Sequence, residues 1–219
     1  MPSRKRLILY DLDGTLVDTS EDIAQAVNYM LAQLGRPPLP RQSIMRFVGR
    51  GVEQLIRECL TTHDTGMIER GMCVYRTHYA EHLLDHSVLY PGAQAVLDYF
   101  KDRAQAVITN KPDPFSSDIL AGLGVAGYFL DVIAGNSTYP RKPDPAGIHS
   151  LMQTHGVSPA QTLFIGDSAV DVATGRNAGV ETAVVSHGFA DAEEIAGASP
   201  DVVVAHFEEF LTVAKQRGW

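Results

Sequence analysis

The sequence predicts a doubly wound, mostly parallel α/β sheet carrying an all-helical insertion after its first strand. Three observations carry that expectation. Short apolar runs alternate with amphipathic segments from about residue 91 onward, a purely helical stretch separates the first apolar run from the rest, and the runs end in polar residues suited to one site.

The first run, Leu7-Ile8-Leu9-Tyr10, breaks off at Asp11-Leu12-Asp13-Gly14. That is the pattern of a buried strand whose carboxyl end emerges at two carboxylates. From about Ser20 the period becomes helical: Ile23, Val27, Met30 or Leu31, and Leu34 share a face, opened by Thr19 and Ser20 and stopped by Gly35 ahead of three prolines. Val52, Leu55, Ile56, Cys59 and Leu60 mark a second helix, and Ile68, Met72, Tyr75 and Tyr79 a third. No strand pattern falls between about Ser20 and His86.

After Tyr90-Pro91-Gly92 the alternation begins. Helices are expected at 93–103, 115–123, 146–155 and 170–178, and strands at 106–109, 131–134, 162–165, 182–185 and 202–204. Right-handed crossovers then cover a parallel sheet on both faces. The expected core is 1–15 with 91–219, the expected cap 16–90, and the crossings at 16–19 and 87–91 are the expected hinges.

At 219 residues and 45% hydrophobic, the chain can bury one α/β core and a small accessory domain. A net charge of -8 disfavours docking on nucleic-acid backbones or anionic membranes and points to a small substrate. The basic start, Met1 to Arg6, is followed by an apolar run too short for a signal or membrane segment, so a cytoplasmic protein is expected. Cys59 and Cys73 fall in helical segments and read as unpaired, buried thiols.

Ligands of open α/β sheets bind beyond the carboxyl ends of the strands. There the sequence places Asp11 and Asp13, then Thr109-Asn110-Lys111, then Gly166-Asp167-Ser168 with Asp171 one helical turn on, and Lys142 within Arg141-Lys142-Pro143-Asp144-Pro145. Several carboxylates in one crevice repel one another unless a cation sits among them. Oxygen-only donors favour magnesium over zinc or copper. Nucleophile, proton donor and preorganised positive charge together are what phosphoryl transfer requires.

In this order, Asp11-Leu12-Asp13-Gly14-Thr15-Leu16-Val17-Asp18, Thr109-Asn110, Lys142-Pro143 and Gly166-Asp167-Ser168-Ala169-Val170-Asp171 resemble the four motifs of the haloacid dehalogenase superfamily, across nearly the whole chain. The helical insertion resembles the superfamily's C1-type cap. The first motif, Phe47-Val48-Gly49-Arg50-Gly51 and Thr109-Asn110-Lys111-Pro112 look most like phosphoglycolate phosphatases and their close relatives.

The resemblance implies Asp11 as the nucleophile that becomes an aspartyl-phosphate and Asp13 as the acid and base. It implies Thr109 and Asn110 as holders of phosphoryl oxygens, and Lys142 as the charge that offsets nucleophile and phosphoryl group. It further implies Mg2+ held by the Asp11 carboxylate, the Asp13 main-chain carbonyl and Asp167, with Asp171 and Ser168 in support. Asp13 argues against dehalogenase activity, because metal-free dehalogenases typically lack that second aspartate. The expected partner is a small phosphorylated metabolite, phosphoglycolate-like, acted on by a monomer or homodimer.

Simpler readings exist for single residues. Asp11 and Asp13 alone would fit a turn after a strand, and Thr109, Asn110 and Ser168 would fit helix caps. Arg50, between two glycines, reads either as an exposed turn residue or as a guanidinium aimed at a substrate carboxylate or second phosphate. His78, His82 and His86 recur every four residues but alternate with Glu81 and Asp85, the pattern of a wet helix face. Met72, Tyr75 and Tyr79 read as cap core, and Trp219 has no reading. A phosphomutase of the β-phosphoglucomutase type and a non-catalytic binding protein on the same fold are the alternatives to a phosphatase.

Overall fold

The computed structural model describes residues 4–219; the first three residues of the basic start lie outside the described residues. Strand β1 (Leu7–Tyr10) is fully buried because it is paired on both sides, with β4 (Ala104–Ile108) through Leu7↔Ala104 and with β6 (Thr162–Gly166) through Leu7↔Thr162. Its unbroken apolar run is what a strand covered on both faces requires.

Between β1 and β4 the chain forms β2 (Val17–Asp18), helices α1 (Ser20–Gln33), α2 (Arg41–Met45), α3 (Val52–Leu60) and α4 (Thr65–His82), strand β3 (Val88–Leu89) and helix α5 (Ala93–Tyr99). Helix α6 (Phe115–Gly122), strand β5 (Asp131–Ile133), α7 (Ala146–His155), β6, α8 (Ala169–Ala178), β7 (Glu181–Val185), α9 (Ala192–Ala198), β8 (Val202–Val204) and α10 (Phe207–Arg217) complete the fold. The parallel sheet has the order β5-β4-β1-β6-β7-β8. The winding therefore reverses at β1, and a crevice opens beyond the carboxyl ends of β4, β1 and β6.

Inside the insertion the expected apolar faces are buried. Ile23, Val27, Met30, Leu31, Leu55, Ile56, Cys59, Leu60, Tyr75 and Tyr79 join one cluster that is continuous with the face of the sheet carrying Ile8 and Tyr10. The other face of the sheet, with Leu7, Leu9 and Phe164, packs on Ile148, Leu151 and Met152 of α7.

Several expectations change. The two crossings, expected as hinges, include an unexpected pairing: β2 and β3 run antiparallel, Val17↔Leu89 and Asp18↔Val88, so the stem of the insertion is a two-stranded ribbon. Buried Asp22 braces it, accepting from the main-chain N–H groups of His86 and Ser87 and from the Ser87 hydroxyl at 2.7 Å. His86 lies beyond the end of α4, so the three histidines do not share one helix; His82 pairs with Asp85 and His86 with Asp22. The helix expected at 93–103 ends at Tyr99, because Arg103 N–H turns back to the Phe100 carbonyl before β4 begins. Cys59 is buried, but Cys73 faces outward on α4. Among the described residues no helix is long and apolar enough to cross a membrane.

Helices α2, α9 and α10 were not among those expected from the sequence, and α10 gives Trp219 its place. Following the Gly218 turn, the indole is 1% exposed, packs on Phe210 at 5.8 Å and lies beside Arg217. Trp219→Ala should lower unfolding free energy by about 3–5 kcal/mol in a urea titration, the usual cost of truncating a large core aromatic. A loss below about 1 kcal/mol would show that the indole contributes no core packing.

Candidate functional site

The strand ends bring the site together by simple adjacency. Asp11 N–H continues the ladder to the Ile165 carbonyl at 2.9 Å, which sets Asp11 beside the Gly166-Asp167 end of β6. Thr109 N–H bonds the Ile133 carbonyl at 3.0 Å and closes the other flank. After Asp11 the chain reverses in one turn: the Leu12 carbonyl accepts from Leu16 and Val17, and Gly14 takes φ +80°, a left-handed conformation natural to glycine.

Lys142 is the charge centre. Its Nζ lies 2.8 Å from Asp11 Oδ1 and 2.6 Å from Asp171 Oδ1, and all three side chains are buried. Burial pulls the Lys142 pKa down, but Asp11 and Asp171 outweigh it and the pKa rises, so the ammonium stays charged. Burial is also the largest influence on Asp11, pushing its pKa up to about 7 against the pull of Lys142, with Asp171 and Asp13 adding repulsion. Asp167 is raised as well, first by burial and then by Asp171 and Asp11.

Each remaining carboxylate is held. Asp171 Oδ2 accepts from the Ser168 hydroxyl at 2.7 Å and from the N–H groups of Asp167 and Ser168, forming with Ser168 the capping box of α8. Asp167 Oδ1 accepts from Thr15 Oγ1 at 2.9 Å and Oδ2 from Phe189 N–H at 2.9 Å. Asp13 Oδ1 accepts from Thr19 Oγ1 at 2.7 Å and from Lys111 Nζ at 3.0 Å.

Asp11, Asp167 and Asp171 each offer an oxygen within 4.8 Å of the others, a cluster that could hold a metal ion. The donor set fits a hard divalent cation: it is all oxygen, and its net negative charge is only partly offset by Lys142. Asp171 is committed to Lys142 and to three donors of the α8 cap, whereas Asp11 and Asp167 retain acceptor capacity.

The Asn110 side chain is engaged within the protein. Its side-chain amide accepts from Lys142 N–H at 2.9 Å and donates to the Lys142 carbonyl at 3.1 Å and the Gly49 carbonyl at 2.9 Å. That amide clamps the Lys142 loop and ties it to the helical insertion, which leaves only the Asn110 main chain for any phosphoryl contact. Thr109 is buried at the crevice floor, where it lines a small cavity with Asp11. Arg50 is exposed and lines a wide cleft of about 620 Å³ that also reaches Asp11, Asp13 and Asp167, with Arg41 and Arg46 beside it.

Three features were given no role in the sequence reading. Lys111, 7% exposed, bonds Asp13 and donates to Tyr79 Oη at 2.7 Å. Thr15 braces Asp167. Gly188, after β7, lies so close that an added Cβ would meet Asp167 Oδ2 at 2.3 Å and the Gly14 carbonyl at 2.5 Å. The signal for Gly188 was available: Ser186-His187-Gly188 directly follows β7 at the same edge of the sheet.

The family described as Haloacid dehalogenase-like hydrolase matches residues 8–185. The chain belongs to this family. It is 36% identical over 215 residues to a phosphoglycolate phosphatase of Pseudomonas putida KT2440, covering 94% of this chain and 78% of that protein. It is 34% identical to a phosphoglycolate phosphatase of Thiobacillus denitrificans, with 93% of each chain covered. Among solved structures, that of a predicted phosphoglycolate phosphatase from Haemophilus somnus 129PT superposes with a TM-score of 0.91 at 28% identity, covering 97% of this chain and 99% of that one.

Gly188→Ala must displace Asp167 or the Gly14 turn, and should cost about 1–3 kcal/mol of stability together with a loss of turnover. Gly127→Ala, where a Cβ meets nothing within 4 Å, should stay within about 0.5 kcal/mol. Paired urea titrations check the contrast, and equal values for the two variants would refute it.

Proposed function

We propose that this chain is a cytoplasmic, magnesium-dependent phosphatase of small phosphate monoesters, phosphoglycolate-like substrates being favoured. The observation that carries the proposal is the Asp11 carboxylate, 5% exposed at the floor of the cleft and 2.8 Å from the Lys142 ammonium, with the Asp13 carboxylate two residues on beside the same cleft. Family membership and the names of the relatives support the reaction class.

In the first half-reaction Asp11 attacks phosphorus. The bond from phosphorus to the ester oxygen breaks, the Asp11 to phosphorus bond forms, and Asp13 gives its proton to the departing oxygen. In the second, water attacks the aspartyl-phosphate, Asp13 takes the water's proton, and Asp11 is released with inorganic phosphate. Lys142 stays charged beside Asp11 throughout and offsets charge on the transferring group. Thr109 and the Asn110 main chain receive phosphoryl oxygens.

Mg2+ would be held by the carboxylates of Asp11 and Asp167 and the Asp13 main-chain carbonyl, and would supply a Lewis-acid charge to the phosphoryl oxygens. Segment 16–90 is the unit that closes over the cleft and excludes water, with Arg50 collecting the anionic substrate.

Asp11→Asn should abolish phosphate release while the far-UV circular dichroism stays that of the parent. Undiminished turnover in that variant would end the assignment. A phosphomutase would instead convert such esters to isomers without releasing phosphate.

Metal addition gives a second measurement with no need for substrate. Because Asp11 is raised from the ordinary value of 3.8 to about 7 in the metal-free protein, its contribution to stability is greatest below pH 4 and is lost as pH rises through 7. Mg2+ relieves the ionised form, so its stabilisation should be larger at pH 8 than at pH 5.5. At about 100 times its Kd the gain should be about 2.7 kcal/mol, or roughly 5–10 °C in Tm. A thermal shift that is absent, or equal at both pH values, would contradict the proposed binding at Asp11.

A further inference from the structure

Between the insertion and the sheet lies a second cavity, much smaller than the cleft, with a volume of about 40 Å³. Asp11, Asp13, Thr109, Asn110 and Lys111 form its core side, and Val48, Val52, Leu55, Ile23 and Tyr75 contribute to its cap side. The nucleophile and the proposed acid both border it, so the atoms beyond the scissile oxygen of a bound ester have this space before them. By volume it admits about three or four non-hydrogen atoms, counting about 10–15 Å³ for each water-sized probe.

The cation of this cavity is Lys111. Its ammonium has three N–H donors. They reach both oxygens of Asp13 at 3.0 and 3.3 Å and the Tyr79 hydroxyl at 2.7 Å, so an entering carboxylate would take the place of the longest contact, that to Asp13 Oδ2; among the described residues no second carboxylate pairs with Lys111. The contrast is with Lys142, which two carboxylates share. The cap side of the chamber is apolar and its core side carries Asp11, Asp13, Thr109 and Asn110; a buried ammonium paired with a single carboxylate attracts a second anion entering from the cap side, because the attraction is little screened there. Arg50 does not border this cavity.

We propose that Lys111 is the specificity-determining residue: it binds a carboxylate on the leaving group and so selects phosphate monoesters of very small hydroxy acids over neutral esters of the same size. The assignment rests on the phosphatase reading and adds which atom chooses the substrate. The chamber holds a two-carbon acid beyond the scissile oxygen, and its apolar cap side leaves a neutral alcohol without compensating contact to Lys111. Arg50, out in the wide cleft, attracts every anionic ester alike.

The test compares kcat/KM for phosphoglycolate and for ethyl phosphate, measured as phosphate release. In the parent protein the acid should be preferred by about 10- to 100-fold, the value of one charge-assisted hydrogen bond in a buried site. Lys111→Met, which keeps the stem and removes the charge, should slow both esters because Asp13 loses a partner. It should also collapse the ratio of the two toward one, whereas Arg50→Ala should lower both and preserve the ratio. A ratio unchanged in Lys111→Met would reduce Lys111 to a positioning residue for Asp13 and overturn the proposal. So would a ratio that collapses only in Arg50→Ala. The parent measurement stands even if Lys111→Met does not fold: equal kcat/KM for the two esters overturns the role of Lys111 and leaves the phosphatase reading intact. Release of phosphate from neither ester overturns both.

Discussion

The ammonium of Lys142 is the interaction on which the site rests. Three buried aspartates stand around one crevice, and without a fixed positive charge their repulsion and desolvation would be relieved only by protonation. Lys142 meets two of them directly, and its loop is fastened by the two-point clamp of Asn110 and by Asn177, which bonds the Pro143 carbonyl at 2.9 Å. The connection between β5 and α7 is thereby held at Lys142 and Pro143 by three side-chain hydrogen bonds. Those bonds place a charge beside Asp11 before any substrate arrives, which is the condition for electrostatic stabilisation without reorganisation.

A second consequence is the separation of labour among the acids. Asp171 is consumed by structure, holding Lys142 and capping α8, while Asp11 and Asp167 keep acceptor capacity toward the cleft. Asp13 belongs to a different network, made of Thr19 at the stem of the insertion and Lys111 at the end of β4. The proposed acid and base is thus anchored on both sides of the crevice, one anchor on the entry to the cap and the other on the sheet.

Much of this was legible because a parallel sheet writes its site at fixed places. Buried strands read as apolar runs, and Asp11, Thr109 and Asp167 each stand just past one. What stayed hidden depended on partners far away in the chain. Asn110 looked like a phosphate ligand, yet its amide is spent on Lys142 and Gly49, 32 and 61 residues distant. Gly188 has no side chain to advertise a role, and only the approach of Asp167 gives it one. Helix α10 carried a readable signal, Phe207, Phe210, Leu211 and Ala214 at helical spacing, but Trp219 was obscure because its place depends on an aromatic cluster that joins Phe207 and Phe210 to the distant Phe100.

The ribbon of β2 and β3 bears on how the helical insertion can travel. Two free linkers would let four helices slide, tilt and spin independently of the sheet. Here both crossings are zipped together, and Asp22, which belongs to the first helix of the insertion, grips the returning strand just before it pairs. The stem therefore joins the insertion to the sheet as one paired unit. Any rotation of the insertion about that stem would carry Thr19, which bonds Asp13, and so would couple the entry to the cleft with the posture of the Asp13 carboxylate.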